Sequence, residues 1–411
     1  MQGSPSQYQA NIWKYYLFHA FLNLQFWFPI WIIYLTEKRG LTLAEVTLID
    51  VPFWLCIIAL QIPGAAIADR YGRKPTLVAA ATLFACAVIF FALASSFWLL
   101  LGSYLVWGVA FALLYGTESA FIYDSLKAAG REEEYSRIYG RGWAIAVGAQ
   151  LVGTLAGAPL AGQTDLVFPI LLSGGIASLA ALVALSFREP LVVSATHHPT
   201  YGEIIRESAG VLRHQPEVRY AILFFGVITI GSVAPVFFFQ PFLREHGVGL
   251  DEVGVWQTPM RIGGIVAALA AHRLISRLGE RGTFYLMPLV LVPSYVLLAG
   301  WDSTYAQVAF TSINFAVILS QPTVTDYVNR RVPSEQRATV VSMTNLIRSL
   351  VLVPSAPLLG FIAEEISLRT AFLAAGGIVG VLSVPLLALW VPHLLRRPDV
   401  VPDALPAACP D

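Results

Sequence analysis

Between two apolar runs the chain reads Pro63-Gly64-Ala65-Ala66-Ile67-Ala68-Asp69-Arg70-Tyr71-Gly72-Arg73-Lys74-Pro75. Its second half is a short charged turn with one acid, three bases, a glycine free to take positive φ, and a closing proline. The flanking apolar runs cover about 46–68 and 76–94. Each is close to the ~20 residues a helix needs to cross the hydrocarbon core of a bilayer. A tight basic turn between two such runs predicts a membrane hairpin with the turn at the surface.

The same pattern extends in both directions. Further apolar segments fall at about 13–35, 98–126, 142–162, 167–187, 217–242, 253–275, 283–300, 304–328, 338–362 and 370–392, twelve in all. Across the 411 residues 56% are apolar and 13% charged. A soluble domain carries roughly a quarter charged residues, so this supply cannot cover a water-facing surface. Frequent Gly and Pro inside the runs suit packed membrane helices better than soluble core helices. The formal net charge is zero, which gives no reason to expect a nucleic-acid partner. Cys56, Cys86 and Cys409 make no disulfide framework. The first apolar run is too long for a signal-peptide core and lacks a small-residue cleavage site, so it reads as the first span.

Basic residues set the expected orientation. With the N-terminus inside, the inner segments hold 20 of the 26 Lys and Arg, the outer loops hold Lys38, Arg39, Arg244 and Arg369, and Arg261 and Arg348 fall within spans. This bias predicts a multi-pass protein of the plasma (inner) membrane with both termini cytoplasmic. The segment 188–216 reads as a cytoplasmic linker, with a short surface helix over Tyr201–His214, and the Pro-rich tail 393–411 as disordered.

The chain also repeats itself. At a shift of 207 residues Gly40 falls on Gly247, Leu43 on Leu250, Glu45 on Glu252, Arg70 on Arg277, Gly72 on Gly279 and Lys74 on Arg281. The shift drifts to 202 at Asp124 and Asp326, and to 198 where Ala158-Pro159-Leu160-Ala161-Gly162 meets Ala356-Pro357-Leu358-Leu359-Gly360. An ordered drift of this kind is what small loop deletions leave after a duplication. It predicts an all-α membrane protein of two pseudo-symmetric six-helix bundles, 1–187 and 217–392, with a binding site between them.

The turn at 69–74 resembles the signature of the major facilitator superfamily, Gly-x-Leu-x-Asp-Arg-x-Gly-Arg-Lys. Two positions depart from it: Ala65 stands at the first glycine, with Gly64 one residue early, and Ile67 replaces the leucine. The resemblance implies alternating access. It also implies a cytoplasmic gate in which Asp69, Arg70, Gly72, Arg73 and Lys74 work with Asp124, the acid expected to pair with the basic turn. Asp69 is also placed to cap a nearby helix N-terminus. Span five ends in Ala158-Pro159-Leu160-Ala161-Gly162-Gln163, a degraded form of the glycine-rich motif of superfamily exporters. Small residues at this spacing equally let helices approach closely. Tyr104 stands where proton-coupled exporters have an arginine in span four, so their coupling mechanism does not transfer directly.

Charges inside spans are costly, by roughly 2.5–3.5 kcal/mol on insertion scales, and so mark function. Glu118 lies some two turns from the inner end of span four, on one helical face with Gly108, Phe111, Tyr115 and Ile122. Burial disfavours the charged form of a carboxylate, which suits a proton carrier. Glu118 and Asp50 are the candidates for proton coupling, and a structural hydrogen bond is the competing reading for Glu118. Arg261 and Arg348 either meet an anionic group of a substrate or neutralise Glu118 or Asp50, with an Asp50–Arg348 contact in reach if spans two and eleven adjoin. Ser342, Asn345 and Arg348 form a polar stripe. Asn23, Gln25, Trp27, Trp31, Tyr115 and Gln240, with Arg261, Asn345 and Arg348, complete the expected substrate cavity: aromatic walls with a few polar groups. Tyr34, near the outer boundary, fits an interfacial aromatic belt as well as a cavity wall.

No Walker loop, dinucleotide fingerprint or His/Cys cluster is present, so no cofactor, no metal and no enzymatic chemistry are expected. The expected function is secondary active transport of a small molecule by a functional monomer, coupled to protons, on the drug or metabolite efflux side. Uptake of a sugar or organic anion is the first alternative, and a non-transporting receptor or scaffold on the same fold the second.

Overall fold

The computed structural model describes residues 5–190, 202, 206, 210, 212–332 and 334–394. The expected tail beyond 394 and most of the expected surface helix over 201–214 lie outside these residues, as does the side chain of Ser342. No strand occurs among the described residues. Among the described residues, ten helices are long and apolar enough to cross a membrane. The longest, Leu250–Gly300, has 51 residues. At 1.5 Å per residue it would be more than twice as long as a bilayer core is thick. It turns back at Gly279, whose φ of 70° and ψ of 171° are not helical, and so forms spans eight and nine.

The first span is interrupted. Its helix Pro5–Asn23 stops, residues 24–30 run as turns, and helix resumes at Trp31–Ile33 and Tyr34–Lys38. Pro29 lies in the break; it has no N–H to give to a helix and disfavours the helical region for the residue before it. With this span and the turn at Gly279 the count is twelve. The others are Leu43–Tyr71, Arg73–Leu93, Phe97–Ala128, Glu132–Gln163, Phe168–Leu185, Pro216–Glu245, Thr304–Asn329, Ser334–Glu365 and Leu368–Leu394. Several helices outrun the hydropathy window. Span five begins its α-helix at Tyr135, so Arg137 and Arg141 sit on helix rather than in a loop. Backbone hydrogen bonding carries a helix beyond the hydrocarbon, and hydropathy cannot see that extension.

The duplication is visible in the backbone. Gly72 and Gly279, 207 apart, both take positive φ and both accept a hydrogen bond from a threonine hydroxyl four residues on, Thr76 at 2.8 Å and Thr283 at 2.9 Å. Gly40 and Gly247 share the left-handed turn after the first span of each half. The halves adjoin where span two packs on span eleven and span five on span eight. At the end away from the termini they are sealed. Arg244 reaches Glu37 at 2.7 Å. Glu364 accepts from Leu43 N at 2.9 Å. A Cβ on Gly360 would sit 2.1 Å from the Thr47 hydroxyl, and one on Gly254 2.2 Å from the Thr154 carbonyl.

Glycine lets span five meet the broken first span. A Cβ at Gly153 would lie 2.6 Å from the Gln25 carbonyl, and at Gly157 2.0 Å from that of Phe26. The unwound segment lies directly on this glycine face, and the Ser173 hydroxyl of span six accepts from Phe26 N at 2.9 Å. Tyr34 is fully buried, with its hydroxyl 2.8 Å from the Phe91 carbonyl. It belongs to the core of the first half and not to an interfacial belt.

Candidate functional site

Two interruptions define the interior of the first half. Span one unwinds over 24–30, and span four breaks at Tyr115–Gly116, where Gly116 takes a φ of 79°. The continuous face expected from Gly108 to Ile122 therefore does not exist. Glu118 instead stands in the first turn of a new helix, Thr117–Ala128, where the helix dipole favours an anion. Span ten, the equivalent of span four, is one continuous helix, Val308–Asn329. The break at Gly116 belongs to one half only.

Glu118 meets a residue that the sequence did not single out. Its Oε2 lies 3.6 Å from Nε2 of His19, and the two side chains keep 18% and 4% exposure. Both ring nitrogens of His19 are buried without a hydrogen-bond partner, as is the hydroxyl of Tyr15. The rings of Tyr15 and His19 stand 4.4 Å apart, edge to face. A histidine in an apolar run raises no alarm because its neutral form is cheap to bury. The available signal was the i, i+4, i+8 row Tyr15, His19, Asn23 on one helical face.

Asn23 gives its amide to the His19 carbonyl at 2.9 Å and accepts from Gln150 of span five at 3.1 Å. Gln25 donates back to Leu22 at 3.2 Å. Trp27 packs on Trp107 at 4.9 Å, and Trp31 on Phe237 of the other half at 5.7 Å. Gln240, expected in the cavity, is 1% exposed. Its oxygen accepts from Ile32 N and Ile33 N, and its nitrogen donates to the Phe28 carbonyl at 3.1 Å. The amide caps the restarted helix of span one, so here it closes the interface and is not free for a solute.

Asp50 and Arg348 do not pair. Asp50 accepts from the Trp54 indole at 2.7 Å, and the Arg348 guanidinium stands 5.9 Å from the Trp54 ring. Trp54 is the intermediary, which is how residues at different depths are joined. Tyr115, at the break of span four, is exposed. Asn345 is half-buried on the same helix as Arg348. Arg261 rests on Phe28, its guanidinium carbon 3.9 Å from the ring centroid. Neither arginine forms an ion pair with Glu118 or Asp50 among the described residues.

At the other end the charged turn is organised by its own half. Arg73 Nε lies 2.8 Å from Asp124 Oδ2 and Asp69 lies 3.8 Å from Arg73. Glu189, which the sequence reading missed, accepts from Arg73 N at 2.7 Å and Lys74 N at 2.8 Å. The cap on span three is thus Glu189, and Asp69 serves as an i, i+4 partner instead. Arg70 is exposed, over the Tyr71 ring. Gly72, at φ 103°, allows the turn and leaves room for the Glu189 carboxylate. In the second half Glu280 and Arg331 pair at 2.8 Å beside Gly279.

A family profile described as Major Facilitator Superfamily matches residues 16–356, most of the chain. The chain belongs to the Major Facilitator Superfamily. That makes it a membrane transporter, not an enzyme, with small molecules as cargo. It is similar to the uncharacterized MFS-type transporter YxaM of Bacillus subtilis (strain 168), 20% identical over 356 residues, 84% of this chain and 86% of that one. A segment of 81 residues, 19% of each chain, is 42% identical to a Na(+), Li(+), K(+)/H(+) antiporter of Planococcus maritimus. Among solved structures, the nucleoside transporter NupG superimposes with a TM-score of 0.77 at 13% identity, covering 94% of this chain and 99% of that one. A bacterial homologue of the lysosomal transporter Spinster, inward-facing and occupied, gives 0.69 at 19% identity, with 95% and 97% covered. These identities carry the superfamily fold and no substrate.

Proposed function

We propose that this superfamily member is a proton-coupled secondary transporter working by alternating access, with Glu118 as the proton carrier, and that it exports a small amphiphilic organic compound. The observation that carries the reading is the Glu118–His19 contact at 3.6 Å, inside the membrane, at a helix break found in one half only. A carboxylate and an imidazole with no other hydrogen-bond partner for the ring form a place where a proton can be taken up and given back without breaking a network. The pair stands at the helix break, three residues from the exposed Tyr115, with the Tyr15 ring 4.4 Å from that of His19.

The basic-residue bias supports a cytoplasmic location for both termini and a plasma-membrane setting. The sealed end then faces outward, and the two halves, 1–187 and 217–392, rock about the site between them as the Arg244–Glu37 contact forms and breaks. The turn at 69–74 with Asp124 serves as the inner gate. Antiport is favoured by the segment shared with the Planococcus maritimus antiporter, and export by the span-five resemblance. The protein acts as a monomer in this account. The test is reconstitution in liposomes with an imposed pH gradient, a panel of lipophilic cations, organic anions and sugars, and a pH-sensitive dye. The expected result is solute movement accompanied by proton movement in the opposite direction. Solute and proton moving together would replace export by uptake, and solute flux indifferent to pH would remove the coupling.

A further inference from the structure

The proton site at Glu118 leaves a second buried charge without a task. Arg261 lies on span eight four residues after Gln257 and seven after Gly254, on the face turned to the first half. Gly254 packs on the Thr154 carbonyl and Gln257 is 2% exposed. The guanidinium sits over Phe28, in the unwound part of span one, and its Nε and Nη2 are buried with no hydrogen-bond partner. Arginine stays protonated in proteins. A buried charge without a counter-charge is disfavoured by far more than one contact with an aromatic face returns.

The neighbouring polar groups are of the same kind. Trp27 packs 5.5 Å from Phe28, and its Nε1 is buried without an acceptor. Trp107, 4.9 Å from Trp27, has an Nε1 in the same condition. Four donor nitrogens around one unwound segment therefore lack acceptors. The unmatched oxygens on neighbouring residues are Gln257 Oε1, on an amide whose two ends exchange by a flip, and the hydroxyls of Thr154 and Thr311, which donate as readily as they accept. An excess of donors, one fixed positive charge and aromatic walls describe the complement of an anion with an apolar body. A cation would meet like charge.

We propose that the transported compound is an amphiphilic organic anion, a carboxylate or similar oxyanion, whose charged group is held by Arg261 with the Trp27 and Trp107 indoles beside it. This rests on the transporter reading and adds the charge of the cargo. It also gives the two halves a shared ligand: Arg261 comes from the second and both indoles from the first.

Binding is followed by tryptophan fluorescence of the purified protein, titrated with cyclohexanecarboxylate, its primary amide, cyclohexylmethylammonium and inorganic phosphate. The carboxylate is expected to saturate the signal at a concentration at least tenfold lower than the other three. Arg261→Gln is expected to weaken it tenfold or more with helix content unchanged. Preference for the ammonium or the amide, or undiminished carboxylate binding by folded Arg261→Gln protein, overturns the proposal. Tighter binding of phosphate than of the carboxylate also overturns it, by removing the organic body. Should Arg261→Gln not fold, Arg261→Lys decides. It keeps the charge but loses the fork, and several-fold weaker binding supports the site while equal binding sinks it. Proton coupling is read in liposomes and this site by equilibrium binding, so either can fail alone.

Discussion

At the scale of the residue, function rests on charges that do not neutralise one another in the obvious way. Glu118 leans on His19, Asp50 on Trp54, Arg348 on Trp54 and Arg261 on Phe28. Direct acid–base pairs would lock the interior, whereas a charge resting on an imidazole or an aromatic face can be released by a proton or a solute. His19→Phe removes both ring nitrogens from Glu118. Losing a buried contact worth about 1.5 kcal/mol to the coupled state should lower pH-gradient-driven flux roughly tenfold. Flux assayed at matched protein yield and melting temperature checks this, and unaltered flux would make His19 a packing residue. The four in-span charges were legible in the sequence because a charge in an apolar run stands out. Their partners were not, since Trp54 and His19 look like ordinary members of apolar runs until the fold turns them toward a charge.

At the scale of the element, the decisive features are the two broken helices and the glycine face that receives one of them. Gly157 cannot carry a side chain: its Cβ would lie 2.0 Å from a main-chain oxygen of the unwound segment, and neither side can yield cheaply. Gly157→Ala should destabilise the protein by about 1–3 kcal/mol, as overpacking does. Gly148, on the same helix with nothing within 4 Å, is the internal control. Gly148→Ala should be neutral or stabilising by about 0.5–1 kcal/mol through helix propensity. Thermal unfolding of the two variants in one detergent makes the comparison, and equal behaviour would contradict the packing account. The sequence carried this motif as small residues allowing close approach, and that reading describes what Gly153 and Gly157 do. Where span one breaks was not foreseen. Pro29 stands in the run, but its effect depends on a neighbour with enough missing side chains to accept unpaired main chain.

At the scale of the whole molecule, the duplication sets equivalent positions of the two halves against each other. Glu37 and Arg244 are 207 residues apart, as are Ile33 and Gln240, so equivalent positions of the two halves touch each other. Such self-contacts lie on the pseudo-two-fold axis, and here they close one end of the protein. The pair is partly exposed, so its contribution is modest, about 0.2–1 kcal/mol. A rocking equilibrium is sensitive on that scale. Glu37→Gln should raise the open fraction of the sealed end up to about fivefold, and the exchanged pair Glu37→Arg with Arg244→Glu should restore it. The readout is modification by an impermeant maleimide of Thr47→Cys, a position with no exposure in the sealed state. Equal labelling rates in all backgrounds would mean that the pair does not hold the seal. Twelve spans, two halves and the 207-residue offset were readable from hydropathy and repetition, because lipid imposes both on the sequence. The depth of each charge and the state of each end depend on tertiary contacts that leave no periodic trace.

The account stands on Glu118 as the group that ties proton movement to solute movement. Glu118→Gln keeps the size and hydrogen-bonding shape of the side chain and removes its ability to exchange a proton. In proteoliposomes carrying this variant, accumulation of substrate driven by a pH gradient should vanish, while exchange of labelled for unlabelled substrate across the membrane continues. Full gradient-driven accumulation by Glu118→Gln would contradict the account.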